Sequence, residues 1–221
     1  KPQPRSRALR MAGHRVLEVR RRATDPANHI EGNFARDVNA AFWRDKLAGV
    51  DCVINAVGIL REHGELTFER IHTRAPRALF EACAQSGVRR IIQISALGAD
   101  EGTSGYFRSK HEADLYLATL ALDWTIVQPS VVYGPGGTSA RLFTMLASLP
   151  LIPLPGKGQQ ALQPIHIDDL IAAIVNILSD RQSQGQRVPL VGARPLPLRE
   201  FLARLRAAMG LMRTIYVRVP L

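Results

Sequence analysis

A doubly wound α/β fold is predicted for this 221-residue chain, and three observations carry that prediction. Runs rich in Val and Ile, "VDCVINAVGIL" (50–60), "VRRIIQISALG" (88–98) and "DWTIVQPSVV" (123–132), recur along the chain. That is the pattern of parallel strands covered on both faces. Segments with helical spacing separate them. The composition, 46% hydrophobic with no apolar run approaching a membrane span of roughly 18–20 residues, supplies a core for one domain with an appendage.

Taken in order, "RSRALRMAGHRV" resembles the tail of a first helix entering a second strand, "HRVLEVR" (14–20). "AAFWRDKLAG" (40–49) is a short helix, and "FERIHTRAPRALFEACAQSG" (68–87) a longer one that Gly87 ends. A helix through 105–120 precedes the third apolar run, and "YGPGG" (133–137) is a turn. From 138 onward the texture changes. "PLIPLPGKGQQALQPIHIDDL" (150–170) is rich in Pro and Gly, and acidic residues suited to a helix N-terminus open "DDLIAAIVNILSD" (168–180). "RVPLVG" (187–192) is strand-like, "LREFLARLRAAMG" (198–210) is a helix with a glycine stop, and "RTIYVRVPL" is strand-like again. The expectation is a core over 1–137 and a smaller lobe over 138–221, packed on the core and in part returning to its sheet. The first strand and glycine-rich turn of such a core have no counterpart in "KPQPRS"; they are expected upstream of it, or to be missing.

The net charge of +10 is spread along the chain, densest before residue 23. Aromatic residues are few and not interleaved with the basic ones, which argues against nucleic acid and for an anionic small molecule. Cys52 and Cys83 lie in apolar and helical runs, as buried thiols of a reducing, cytoplasmic compartment do, and lack metal-ligand spacing. His166, Asp168 and Asp169 are read as a helix start rather than a metal site.

The stretch "SGYFRSKHEAD" (104–114) holds the most informative pair. The chain has four lysines against 25 arginines, yet Lys110 follows Tyr106 by one helical turn, on the same face. A phenol with a pKa near about 10 is a poor acid or base at neutral pH. A neighbouring ammonium stabilises the phenolate and lowers that value.

"GVDCVINAVGIL", "GVRRIIQISALGAD", "YFRSK", "LDWTIVQPSVVYGPGG" and "LQPIHIDDL", in this order, resemble the short-chain dehydrogenase/reductase superfamily in its extended or atypical form. Within it, the chain is most similar to NAD(P)-binding epimerase/dehydratase-like proteins related to the reductase-like accessory subunit of respiratory complex I. The resemblance covers roughly residues 8 to 220 and implies a Rossmann-type core. It implies that Tyr106 exchanges a proton with a carbonyl or carbinol, and that Lys110 tunes it and binds the nicotinamide ribose. The family's polarising hydroxyl falls to Ser95, which either does that job or bonds backbone at the strand end; Ala96 follows where many members keep the hydroxyl.

On the cofactor side, the resemblance assigns Asn55 and Gly58 to the strand-end turn, and Asn33 and Phe34 to the adenine. Arg20, Arg21 and Arg22 stand where NAD-specific members carry an acid, so NADP(H) is expected over NAD(H). Pro129, Ser130 and Val131 correspond to the segment that meets the carboxamide, with Gln128 in place of the family's usual Arg. Tyr133 and His166 fall on the substrate side, and His72 is read as a structural hydrogen-bonder. The function expected is an NADP(H)-dependent oxidoreductase or an epimerase/dehydratase with a small-molecule substrate. The alternative is a non-catalytic dinucleotide-binding subunit or redox sensor; a homodimer or a place in a larger complex is compatible with either.

Overall fold

The computed structural model describes residues 4–212 and 214–220, and of Pro4, Arg5 and Thr138 the backbone alone. The first three residues of "KPQPRS", and positions 213 and 221 of "RTIYVRVPL", lie outside the described residues. The chain opens with α1 (Pro4–Met11), β1 (Glu18–Arg20), β2 (His29–Glu31) and α2 (Ala40–Arg44). β3 (Cys52–Asn55), α3 (Ala75–Gln85), β4 (Arg90–Ile94), α4 (Gly105–Ala118) and β5 (Asp123–Pro129) follow. Next come β6 (Val132–Tyr133), α5 (Thr138–Ser148), β7 (Leu151–Pro155), β8 (Ala161–Leu162) and β9 (Ile165–His166). The last elements are α6 (Ile167–Ser179), β10 (Gln186–Leu190), β11 (Leu196–Pro197), α7 (Leu198–Ala208) and β12 (Ile215–Val219). A π-helical stretch, Glu69–Arg74, leads into α3.

Two compact units result: Lys1–Gln128 with Ile171–Pro189, and Pro129–Leu170 with Leu190–Leu221. They do not follow the 1–137 and 138–221 boundaries of the sequence reading, for two physical reasons. Residues after Pro129 pair forward, β6 with β9 in the register Val132↔Ile165, which ties them to the second unit. Residues 171–189 are drawn back by the buried Arg90 guanidinium, which donates to the carbonyls of Ile177 (2.6 Å) and Asp180 (2.9 Å). Thr125 Oγ1 adds a bond to Ser183 O at 2.8 Å. Left unpaired, the carbonyl of buried Ile177 would be costly.

In the first unit the sheet order is β10-β5-β4-β3, with β3, β4 and β5 parallel. Parallel strands need helical crossovers, which α3 and α4 provide. Gly87, at φ 74°, lets the chain leave α3 and enter β4. Ile91 and Ile126 are fully buried beneath a cluster of Trp43, Leu79, Phe80 and Leu117. β1 and β2 form a separate parallel pair, Val19 opposite Ile30.

The second unit is built on Ala147, Ile152, Leu154 and Leu202, with Phe143 and Tyr216 against them. β7 and β12 pair in parallel, Leu151↔Ile215 through Pro155↔Val219. The alternation of β7 buries Ile152 and Leu154 and leaves Leu151, Pro153 and Pro155 outward, opposite exposed Ile215, Val217 and Val219.

Candidate functional site

In the first unit, α4 begins after Ser104, whose hydroxyl accepts from Phe107 N–H. Tyr106, Lys110 and Asp114 then recur every fourth residue on one face. Lys110 is only 4% exposed, and its Nζ donates to Ile94 O at 3.0 Å, where β4 ends. Burial pulls the amine down to about 8, with the Asp114 carboxylate pulling the other way. At neutral pH the group is still mostly an ammonium. Tyr106 is half-buried, and that burial pushes its phenol above the ordinary value. The expectation that Lys110 lowers the phenol meets a physical competitor here: the amine is spent on a backbone carbonyl, so loss of water around the phenol decides the shift.

His72 organises the surroundings of this pair from the π-helical stretch. Its Nε2 accepts Ile59 N–H at 3.0 Å, so the ring proton sits on Nδ1, which donates to Ser109 Oγ at 3.0 Å. Ser109 Oγ donates in turn to Tyr106 O at 2.9 Å. The ring meets Tyr106 edge-on, centroids 5.3 Å apart, and stacks on Phe68. Burial and the nearby Lys110 charge hold the imidazole down to about 3, hence neutral. A Cβ on Gly58 would sit 3.3 Å from Lys110 Nζ and 3.5 Å from His72 Nε2. The missing side chain therefore lets the Lys110 amine and the His72 ring pack close against this turn.

The remaining first-unit residues are placed as follows. Asn55, buried at the end of β3, donates to Gln93 Oε1 at 2.7 Å and accepts from Val57 N–H, shaping the turn toward Gly58. Ser95 is buried, and its hydroxyl donates to Asp114 Oδ2. Asn33 Oδ1 accepts from Ala35 N–H at 3.1 Å within its own loop, and Phe34 stacks on Trp43 of α2 at 4.9 Å, against the core. Arg20 pairs with Glu18 in the same strand, whereas Arg21 and Arg22 are exposed beyond it. Gln128 donates to Asp100 Oδ2 at 3.1 Å, and Arg187 bonds the other oxygen of the same carboxylate.

In the second unit, Pro129 is buried, Ser130 N–H donates to Leu190 O at 3.0 Å, and Val131 O accepts from Ile165 N–H at 3.0 Å. Ser130 Oγ donates to Gln163 O. Tyr133 lies opposite His166 in the strand pair, ring centroids 5.1 Å apart. His166 Nδ1 accepts from Asp168 N–H at 3.3 Å, while Asp168 and Asp169 are exposed in the first turn of α6. A cavity of about 240 Å³ beside Tyr133 is lined by Phe143, Thr144 and Leu205. Among the described residues, no cluster of three or more His, Cys, Asp or Glu side chains is arranged to hold a metal. Asp114 escaped the sequence reading, though its spacing of four from Lys110 was a visible signal.

A parallel sheet with helical crossovers and a glycine turn packed against a buried lysine suit a dinucleotide-binding α/β protein. Residues 7–148 match the family described as NAD(P)H-binding, and the chain belongs to that family. The fold and the family resemblance read from the sequence are thereby borne out. The chain is 27% identical over 172 residues to "NADH dehydrogenase [ubiquinone] 1 alpha subcomplex subunit 9, mitochondrial" of Mus musculus, covering 76% of this chain and 45% of that protein. It is 29% identical over 133 residues to a ceramide reductase of Caulobacter vibrioides, covering 59% of this chain and 42% of that one. The chain thus spans less than half the length of these relatives. Among solved structures, MoeE5 in complex with UDP-glucuronic acid and NAD has a TM-score of 0.77 at 21% identity, covering 98% of this chain and 81% of that one. UDP-glucuronic acid 4-epimerase from Bacillus cereus gives 0.75 at 16%, covering 98% and 81%.

The residues on the first unit suit a nicotinamide ribose. Lys110 offers a compact cation with donors, packed against the Gly58 turn.

Proposed function

We propose that this chain is an NADP(H)-dependent oxidoreductase or an epimerase/dehydratase acting at a carbonyl or carbinol, with Tyr106 as the proton donor or acceptor and Lys110 as its partner. The observation that carries this reading is the buried Lys110 amine, one helical turn from Tyr106 and packed against the Gly58 turn. Bound nicotinamide supplies hydride chemistry. Tyr106 Oη gives its proton to the carbonyl oxygen in reduction and takes it back in oxidation. The Lys110 ammonium offsets the phenolate left behind. The phenol, raised by burial, needs that cation in place when it loses its proton. Exposed Arg21 and Arg22 beyond β1 support a 2′-phosphate, hence NADP(H).

A second reading has its own support. The Ser95 hydroxyl is engaged by Asp114, and Ala96 beside it carries none. That favours a dinucleotide-binding subunit without turnover, in line with a relative named as a subunit of NADH dehydrogenase. A fluorescence titration with NADPH and, separately, NADH tests both. Tighter NADPH binding supports the first reading, and binding without turnover on a panel of carbonyl substrates supports the second. No binding of either dinucleotide overturns both.

A further inference from the structure

The helix face that carries Tyr106 and Lys110 has a third member. Asp114 is fully buried and accepts the Ser95 hydroxyl proton on Oδ2. Lys110 Nζ, one turn earlier, holds the carbonyl of Ile94. Two consecutive residues at the end of β4 are therefore gripped by two side chains four apart on α4. The other carboxylate oxygen, Oδ1, is buried and has no hydrogen-bond partner among the described residues. Asp114 and Lys110 lie one helical turn apart on a buried face, where a carboxylate and an ammonium interact more strongly than the same pair on a surface.

We propose that Asp114 is a positioning residue for the Tyr106–Lys110 pair, keeping α4 in register with the end of β4 through Ser95 and setting a buried counter-charge one helical turn from the Lys110 amine. Its bearing on catalysis rests on the reading of Lys110 given above, whereas the pairing itself does not. The groups facing Asp114 are Lys110 on α4, Ser95 beyond β4, Asp100 in the next loop and Arg187 on β10. Lys110 and Arg187 favour the carboxylate, and Asp100 opposes it. His111 is bonded to Asp100 at 3.0 Å, and His72, which faces Lys110, is neutral. Burial raises Asp114 to about 6 and lowers Lys110 to about 8, and each charge works against the other's shift. Between those values both are ionised; below the first, Lys110 loses its counter-charge.

With only four lysines in the chain, labelling lysine Cε with 13C gives a spectrum in which each amine is titrated separately. Lys110→Met identifies the signal. The midpoint of Lys110 is expected to fall by about one pH unit or more in Asp114→Asn, and to return to within roughly half a unit of the parent in Asp114→Glu. A merely structural role for Asp114 moves stability and leaves that midpoint in place. An unchanged Lys110 midpoint in a folded Asp114→Asn protein overturns the proposal. If that variant does not fold, the parent chain decides: the Asp114 carboxyl carbon must show a second step at the Lys110 midpoint, and a single step overturns the pairing. No dinucleotide is present in these titrations, so their failure is distinct from a failure of NADPH to bind.

Discussion

Tyr106 and Lys110 illustrate how a residue's role depends on what its neighbours leave it free to do. The amine is anchored to Ile94 O, and the phenol is edged by His72 and Phe68. Removing the phenol oxygen takes away the proposed proton carrier and leaves the packing in place. Tyr106→Phe is therefore expected to lower turnover by about 100-fold or more, with NADPH affinity unchanged. Unaltered turnover in that variant removes Tyr106 from the mechanism. The pair was legible because a lysine in an arginine-rich chain, one turn after a tyrosine and following "ISALG", is an unusual conjunction. The partner of Ser95 was not. A strand-end hydroxyl finds its acceptor by burial, and only the folded chain brings Asp114 to it.

At the scale of elements, the π-helical stretch Glu69–Arg74 is held by one neutral imidazole that bridges the Gly58–Ile59 turn and α4. The folded state keeps His72 at about 3, whereas an unfolded chain protonates it near about 6.5. The unfolded state then binds more protons below that higher value, so the His72 contribution to stability is present at pH 7. It declines as pH falls from about 6.5 toward 3. Asp114 slopes the opposite way between about 6 and 3.8, since its folded value is raised. Comparing the parent with His72→Gln removes that overlap. The stability advantage of the parent is expected to shrink by about 1.4 kcal/mol per pH unit below pH 6.5. Urea midpoints at pH 7 and pH 5 check it; a constant difference rejects a neutral buried His72. The strands were legible from their Val and Ile runs, and the helix of 68–87 from its spacing. Its π-helical opening was not, and the contacts of His72 there, to Ile59 and Ser109, join residues far apart in sequence that carry no local pattern.

At the scale of the molecule, the excess of basic residues is a property of the entire chain rather than of one patch. A dinucleotide carrying phosphates is drawn by such a field, and salt weakens the pull over a Debye length of about 10 Å at 0.1 M. Association of NADPH is expected to slow as salt rises from 20 to 300 mM in stopped-flow fluorescence, with dissociation changing less. A salt-independent association rate rejects long-range steering. The division of the chain into two units was the least legible feature. It depends on Arg90 reaching the carbonyls of Ile177 and Asp180, contacts between residues far apart in sequence that carry no local pattern.

The prolines of β7 have a consequence for how copies of this protein meet. In a parallel pair, Gly156 N–H reaches Val219 O and Pro150 O accepts from Ile215 N–H, so the even-numbered backbone groups of β7 face β12. Residues 151, 153 and 155 then point their backbone toward the edge that pairs with no strand among the described residues, and two of these three are prolines with no N–H to offer. That edge keeps at most one N–H, that of Leu151, for a further strand, and Pro155 O is taken by Gly158 N–H and Gln160 Nε2, although the adjoining face shows Leu151, Ile215, Val217 and Val219 to solvent. Replacing Pro153 and Pro155 together by valine restores both donors and is expected to bring on concentration-dependent light scattering that the parent lacks; a double variant as clear as the parent rejects this role. Two imino acids thus act as a guard against strand-to-strand aggregation on a surface that would otherwise invite it.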